Sequence, residues 1–182
     1  MTQNEKALIG SSTVVPFRVL SVANKQDSLI LRTKCKDVDM AADAPYLSLL
    51  IERLKLTMDA ESGVGIAAPQ VGISRNVFLI TRIDKPEHPV EAIINPKIVL
   101  VPENTICFER DGCLSIPDVS GNSVRYPWVE VEYFNSKGEK IKETLSGYSR
   151  KGDFTAVIFQ HEFDHLNGVL FTDKLCDKPV NE

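Results

Sequence analysis

The segment His161-Glu162-Phe163-Asp164-His165 constrains the fold more than any other part of the chain. Residues four apart on an α-helix lie one above the other on the same face, so both imidazoles can bind one divalent metal ion. The glutamate directly after the first histidine then lies beside the ion, where it can bond a metal-bound water. The segment therefore predicts a helix that carries a metal site.

The alternative is a pair of ordinary histidines on a buried helix. The chain has 3 histidines, and two of them flank a glutamate at this spacing. The segment that contains Glu162 is rich in apolar residues, and burying a carboxylate there without a role costs free energy. Metal binding is therefore the favoured interpretation.

The third ligand is less obvious. A catalytic zinc-type site usually takes three protein ligands and leaves a fourth position for water. The extended metalloprotease motif needs a histidine where this chain has Phe171, and little chain follows His165 to supply a glutamate from a later helix. His88 lies in a proline-flanked turn. Cys113, beside Gly112, is modestly favoured, whereas the other three cysteines are expected to be buried and structural: Cys35, Cys107 and Cys176.

Length and composition indicate a single globular domain of 182 residues, with 43% hydrophobic and 25% charged residues. A formal net charge of -4 offers no basic surface for nucleic acid or anionic lipid. No apolar run is long enough to cross a bilayer, and no signal peptide is evident. We therefore expect a cytoplasmic protein that has neither nucleic acid nor membrane as a partner and no disulfide framework.

The hydrophobic pattern predicts an α+β domain. A helix is expected over 41–60, and a second from about Asp153, as N-cap, to Leu166. Small residues predict a loop at 63–72. Residues 1–18 are expected to be a mobile extension, 19–176 a single domain and 177–182 a short tail. Strands are predicted at 76–82, 92–101, 105–109, 124–134 and 140–148.

Three segments, taken together, resemble the peptide deformylase family. Residues 63–70 (GVGIAAPQ) match its pattern G-x-G-x-A-A-x-Q, and residues 112–115 (GCLS) match most of E-G-C-L-S. Residues 160–168 (QHEFDHLNG) match Q-H-E-x-D-H-L-x-G. The resemblance covers roughly Val19 to Leu175. It implies mixed or antiparallel sheets packed around a central helix that carries the H-E-x-x-H motif.

The family resemblance also implies a reaction. Its members remove the formyl group from the N-terminal formyl-methionine of new polypeptides and release formate. Cys113 would join His161 and His165 as the third ligand of one divalent metal per chain. The implied metal in vivo is Fe(II), with zinc, nickel or cobalt as substitutes.

The same resemblance implies roles around that metal. Glu162 would accept a proton from water and pass one to the leaving amine. The Gln70 side chain and the Leu114 backbone N–H would stabilise negative charge on the formyl oxygen. The strand next to Val64 and Gly65 could pair with the bound peptide as an added strand. By the same resemblance, the walls of the methionine pocket would include Val64, Phe154, Val157, Ile158 and His161. Plain core packing is the alternative for Phe154, Val157 and Ile158.

Three departures from the family pattern stand out. Asp111 replaces the usual glutamate before Gly-Cys, which shortens a carboxylate beside the site. The chain lacks, after Cys176, the long helix through which some bacterial members meet the ribosome, so any ribosome association is expected to be transient. Residues 1–18 precede the family's usual start.

Three other functions are compatible with the metal motif. The first is a metallopeptidase that cuts internal bonds, and the second is a structural metal module with a closed site. The third is a deformylase relative with a shifted substrate, suggested by Asp111 and the neighbouring charges of Glu109 and Arg110.

Overall fold

The computed structural model describes residues 1–177 and has antiparallel sheets with helices packed against them. The expected tail at 177–182 lies, apart from its first residue, outside the described residues. The helices are α1 (Gln3–Ile9), α2 (Lys25–Leu31), α3 (Ala44–Ala60) and α4 (Thr155–Leu166), with short 3-10 helices at Ala68–Val71 and Phe171–Lys174. The strands are β1 (Gly65–Ala67), β2 (Val77–Thr81), β3 (Val90–Leu100), β4 (Ile106–Cys113), β5 (Ile116–Arg125), β6 (Trp128–Phe134) and β7 (Lys140–Ser146).

The larger sheet has the order β1-β2-β3-β6-β7, and every neighbouring pair in it is antiparallel. Strands β4 and β5 form a separate antiparallel hairpin. The predicted α+β class is therefore confirmed. Strand β1 lies at one end of the larger sheet and pairs only with β2 within the described part of the chain.

Helix α4 is the central helix of the domain. It is apolar on most sides, as expected for a helix enclosed by other elements. Ala156 and Phe159 are fully buried, and the Phe159 ring meets Phe78 of β2 edge to face at 5.1 Å between centroids. The helix begins at Thr155, and its N-cap position is occupied by Phe154 rather than by Asp153. Asp153 nevertheless accepts a hydrogen bond from the Thr155 N–H at 2.8 Å, so it still caps the first turn.

The first helix of the sequence analysis is confirmed as α3, although it starts three residues later than expected. The apolar side chains along one face of this helix are buried, and Leu50 and Leu54 have no solvent-exposed surface. Asp43 precedes α3 but makes no side-chain cap. Its carboxylate instead accepts a hydrogen bond from the amino nitrogen of Met1 at 2.8 Å.

The N-terminal residues differ from the expected mobile extension. Helix α1 carries a capping box between Thr2 and Glu5, and Ile9 is fully buried in the main core. Arg53 of α3, only 3% exposed, donates to the carbonyl oxygens of Ile9 at 2.8 Å and Val15 at 3.1 Å. The segment is thus packed against α3. A seven-residue helix is too short to reveal a hydrophobic period in the sequence.

The expectation of no disulfide is wrong. Cys107 of β4 and Cys176 form a disulfide across a sequence separation of 69, with Cα atoms 6.0 Å apart. Leu175 forms an isolated antiparallel β-bridge with Ser123 of β5, and this pairing brings Cys176 next to the β4–β5 hairpin. Cys35 is free and buried, as expected.

Several strand boundaries also differ. The loop predicted at 63–72 contains β1, and α2 was not anticipated. The strand predicted at 124–134 is in fact the end of β5 followed by β6. Pro127 lies between them and has no N–H to continue a ladder. Among residues 1–177, no helix combines the length and apolar character needed to cross a bilayer.

Candidate active site

Helix α4 and the end of β4 bring together the three predicted metal ligands. The ligand atoms of Cys113, His161 and His165 all lie within 4.8 Å of one another. The Cys113 Sγ atom is 3.3 Å from Nε2 of His165. The two histidines lie one helical turn apart with ring centroids 5.1 Å apart, as the spacing predicted.

The donor set fits a divalent transition metal. One thiolate and two imidazoles suit iron(II), zinc, nickel or cobalt. Nδ1 of buried His165 has no hydrogen-bond partner among residues 1–177. Burial and the nearby His161 lower the pKa of His165 well below its ordinary value, which keeps this imidazole neutral. A neutral imidazole is the form that binds a metal.

The orientation of His161 is fixed by Asp111. Nδ1 of His161 lies 2.9 Å from Oδ1 of Asp111, which leaves the other ring nitrogen for the ligand cluster. Burial alone would lower the pKa of His161, but the Asp111 carboxylate and the Cys113 sulfur raise it well above its ordinary value, so that metal binding at this ring would release a proton. The shortened carboxylate at position 111 therefore still reaches the histidine.

A buried ion-pair chain continues behind Asp111. Arg125, whose side chain is fully buried, donates to Asp111 at 2.7 Å and to Asp164 at 2.6 Å. Lys174 contacts the other oxygen of Asp164 at 2.6 Å. Burial would raise the pKa of Asp111, but His161 and Arg125 hold it well below its usual range. No local sequence pattern distinguishes Arg125 from a surface arginine, so these buried ion pairs were not predictable from the sequence.

Glu162 is buried beside the cluster without a hydrogen-bonding partner for Oε2 among residues 1–177. Burial raises the pKa of Glu162 to about 7, although His161 opposes the rise. A carboxylate with this pKa can both accept and return a proton near neutral pH. A Cβ atom at Gly65 would lie 2.5 Å from Oε1 of Glu162, so only glycine leaves room for this side chain.

The side chain of Gln70 is held in one orientation. It is 1% exposed, and its Oε1 atom accepts a hydrogen bond from the Ala67 N–H at 2.8 Å. Its amide nitrogen donates to Ser115 Oγ at 3.3 Å and lies 3.6 Å from Cys113 Sγ. The amide N–H groups are thus directed toward the metal-ligand cluster.

A cavity of about 660 Å³ opens beside these residues. His165 is not part of its lining, although its Nε2 atom lies 3.3 Å from Sγ of Cys113, which does line the cavity. Phe108 and Arg150 also line the cavity, although neither is among the site residues predicted from the sequence. The other predicted site residues all line it: Val64, Gly65, Gln70, Cys113, Leu114, Phe154, Val157, Ile158, His161 and Glu162.

Strand β1 borders the same cavity. Val64 is 44% exposed, and its carbonyl accepts a hydrogen bond from the Thr81 N–H at 2.8 Å. Because β1 has β2 as its one partner strand among residues 1–177, its other edge can pair with an extended peptide.

Comparisons with known proteins agree on one family. The sequence model described as Polypeptide deformylase matches residues 18–180. The peptide deformylase of Thermotoga petrophila is 42% identical over 146 residues, covering 80% of this chain and 81% of that protein. The protein of the same name from Christiangramia forsetii is 38% identical over 159 residues, covering 80% and 76%.

Solved structures give the same result. The crystal structure of peptide deformylase from Thermotoga maritima matches with a TM-score of 0.75 at 36% identity, covering 90% of this chain and 99% of that one. The Met-Ala-Ser-bound class I type b peptide deformylase from Acinetobacter baumannii matches with a TM-score of 0.76 at 33% identity, covering 89% and 99%.

Proposed function

The chain belongs to the peptide deformylase family and removes the N-formyl group from nascent peptides, and we propose that it does so at the site formed by Cys113, His161, His165 and Glu162. One observation carries this proposal. Three ligand atoms lie within 4.8 Å of one another, beside a buried carboxylate whose Oε2 atom has no partner in the described chain.

Cys113, His161 and His165 would hold one divalent ion, which we propose to be Fe(II) in vivo, with zinc, nickel or cobalt as substitutes. When bound, such an ion lowers the pKa of water and polarises a carbonyl group. No fourth histidine, cysteine or carboxylate joins the cluster within residues 1–177, so a coordination position remains for solvent. This argues against a purely structural metal module.

Glu162 moves the proton in this proposal. Its carboxylate accepts a proton from the attacking water and then donates one to the methionine nitrogen as the C–N bond breaks. In the metal-free protein, burial raises the pKa of this group to about 7, so the carboxylate can exist in either protonation state near neutral pH. Gly65 contributes by leaving the space in which the carboxylate lies.

Gln70 and Leu114 would stabilise the charge that develops on the formyl oxygen. The Gln70 amide is already oriented by Ala67 and Ser115, so little reorganisation is needed during the reaction. Leu114, which follows Cys113 in the chain, lines the same cavity and would contribute its backbone N–H.

The substrate would be an N-formyl-methionyl nascent peptide that extends along the edge of β1 near Val64 and Gly65. Its first side chain would occupy the apolar part of the cavity, among Phe154, Val157 and Ile158. We further propose that 19–176 is the catalytic domain, that it acts in the cytoplasm, and that any ribosome contact is transient. Residues 1–18 would be an addition packed against that domain.

The test is formate release from formyl-Met-Ala-Ser. Glu162→Gln should retain its metal but lose activity by a factor of about 10²–10⁴, since the proton acceptor is removed. The matched control is Glu52→Gln on the exposed face of α3, which should behave as the wild-type enzyme. Substantial turnover by metal-loaded Glu162→Gln would refute the proton-transfer role.

A further inference from the structure

Arg150 places a positive charge against the apolar wall of the substrate cavity. Phe108, Phe154 and Val157 pack together to form this wall, and all three line the cavity. The guanidinium carbon of Arg150 lies 5.0 Å from the centroid of the Phe108 ring and 5.3 Å from that of Phe154. Both distances are within the range of cation–π attraction.

The segment between β7 and α4 holds Arg150 in this position. The Ser149 N–H donates to the Asp153 carbonyl at 2.9 Å, and the Gly152 N–H donates to the Ser149 carbonyl at 3.1 Å. Nε of Arg150 donates to the Glu109 carbonyl at 3.0 Å, and Nη2 donates to the Arg110 carbonyl. The guanidinium is therefore fixed to the backbone of β4 on one side.

The other side of the guanidinium is available to a ligand. Nη1 of Arg150 has no acceptor among residues 1–177, although the side chain lines the cavity. A guanidinium with free N–H groups favours an acceptor atom, and most strongly an oxygen that carries negative charge density. An apolar wall without such a group would favour hydrocarbon and reject polar oxygen.

We propose that Arg150 is a specificity-determining residue that selects first side chains ending in a hydrogen-bond acceptor. This inference rests on the proposed site, in which the first side chain lies against Phe154 and Val157. At the position of the methionine sulfur, which is a weak acceptor, norleucine has a methylene group that accepts no hydrogen bond. Methionine sulfoxide carries a strong acceptor oxygen at the same position. Arg150 thus favours methionine over norleucine and allows the oxidised side chain to enter.

The experiment compares kcat/KM for formate release from three peptides, formyl-X-Ala-Ser, in which X is methionine, norleucine or methionine sulfoxide. Arg150→Met removes the charge and the donors but keeps an unbranched chain against the two rings. It should lower the sulfoxide-to-norleucine ratio by about tenfold, the size of one charge-assisted hydrogen bond. Arg150→Lys, which keeps the charge but lacks the planar fork, should restore part of that ratio.

Arg110→Met is the matched control, because Arg110 is a neighbouring cation whose side chain is 73% exposed and does not line the cavity. It should leave the ratio unchanged. An equal loss for all three peptides in Arg150→Met would overturn the inference and show that Arg150 only holds its loop. An unchanged ratio, or the same fall in Arg110→Met, would also overturn it. Failure of the wild-type enzyme to release formate from any of the peptides would instead refute the proposed function, and the inference with it.

Discussion

Glu162 should make the metal-free enzyme less stable as the pH rises from about 5 to about 8. Its side chain is buried, and Oε2 has no hydrogen-bond partner among residues 1–177. Burial raises its pKa from 4.5 to about 7, against the opposing effect of His161. Between these two pH values the folded chain retains a proton that the unfolded chain has released, so the free energy of unfolding falls as the pH rises.

The magnitude follows from the two pKa values. A difference of one pH unit corresponds to about 1.4 kcal/mol. A rise from 4.5 to about 7 therefore costs the folded state about 3 kcal/mol once the group is ionised in both states. Below the unfolded pKa both states are protonated and the cost disappears. From about pH 5 to about pH 8, the free energy of unfolding should fall by about 2.5 kcal/mol through this one group.

The assay is urea denaturation of the chelator-treated wild-type protein and of Glu162→Gln across that pH range. No other titrating group is removed in the variant, so the difference between the two unfolding free energies reports the titration of Glu162 together with its coupling to His161. The variant should gain about 2.5 kcal/mol relative to wild type from the acidic to the alkaline end. Glu52→Gln, which changes an exposed glutamate on α3, should follow the wild type. Parallel curves for wild type and Glu162→Gln would refute the reasoning, because they would mean that burial does not raise the carboxyl pKa.

Three further predictions test the surroundings of the site. Gly65→Ala should displace the Glu162 carboxylate and lower the rate of formate release by about 100-fold. Gly152→Ala is the control and should keep the wild-type rate, because no atom lies within 4 Å of the added Cβ. Equal rates for the two variants would contradict this prediction. Asp111→Asn should weaken metal binding by about 10–100-fold in a competition titration, and Asp111→Glu should retain most of the affinity; unchanged binding in Asp111→Asn would show that the contact to His161 has no such role. Cys176→Ser should lower the free energy of unfolding by about 2–4 kcal/mol in urea, and a variant as stable as the non-reduced wild type would contradict a stabilising Cys107–Cys176 bridge.

The sequence motifs were sufficient to predict helix α4, the candidate metal ligands and the family. Helix α4 was predictable because an apolar stripe and the spacing of His161 and His165 both require a helix there. Cys113 was only modestly favoured by its residue type, and the family resemblance made it the third ligand. The resemblance to peptide deformylases is confirmed by the family match and by the solved structures.

The features that were missed depend on tertiary contacts. The Cys107–Cys176 disulfide forms because the C-terminal segment returns to the β4–β5 hairpin, and sequence spacing does not reveal such a return. Arg125 and Arg150 resemble surface arginines in sequence, yet one is fully buried between carboxylates and the other lies over two rings. Both positions are set by which elements pack together.

The most direct test of the central claim is X-ray absorption spectroscopy of the zinc-loaded protein. A site formed by Cys113, His161 and His165 predicts one ion per chain with a single sulfur at about 2.3 Å and two imidazole nitrogens at about 2.0–2.1 Å. The sulfur shell should be absent in Cys113→Ala. A zinc shell without sulfur in the wild-type protein, or one that is unchanged in Cys113→Ala, would contradict the account.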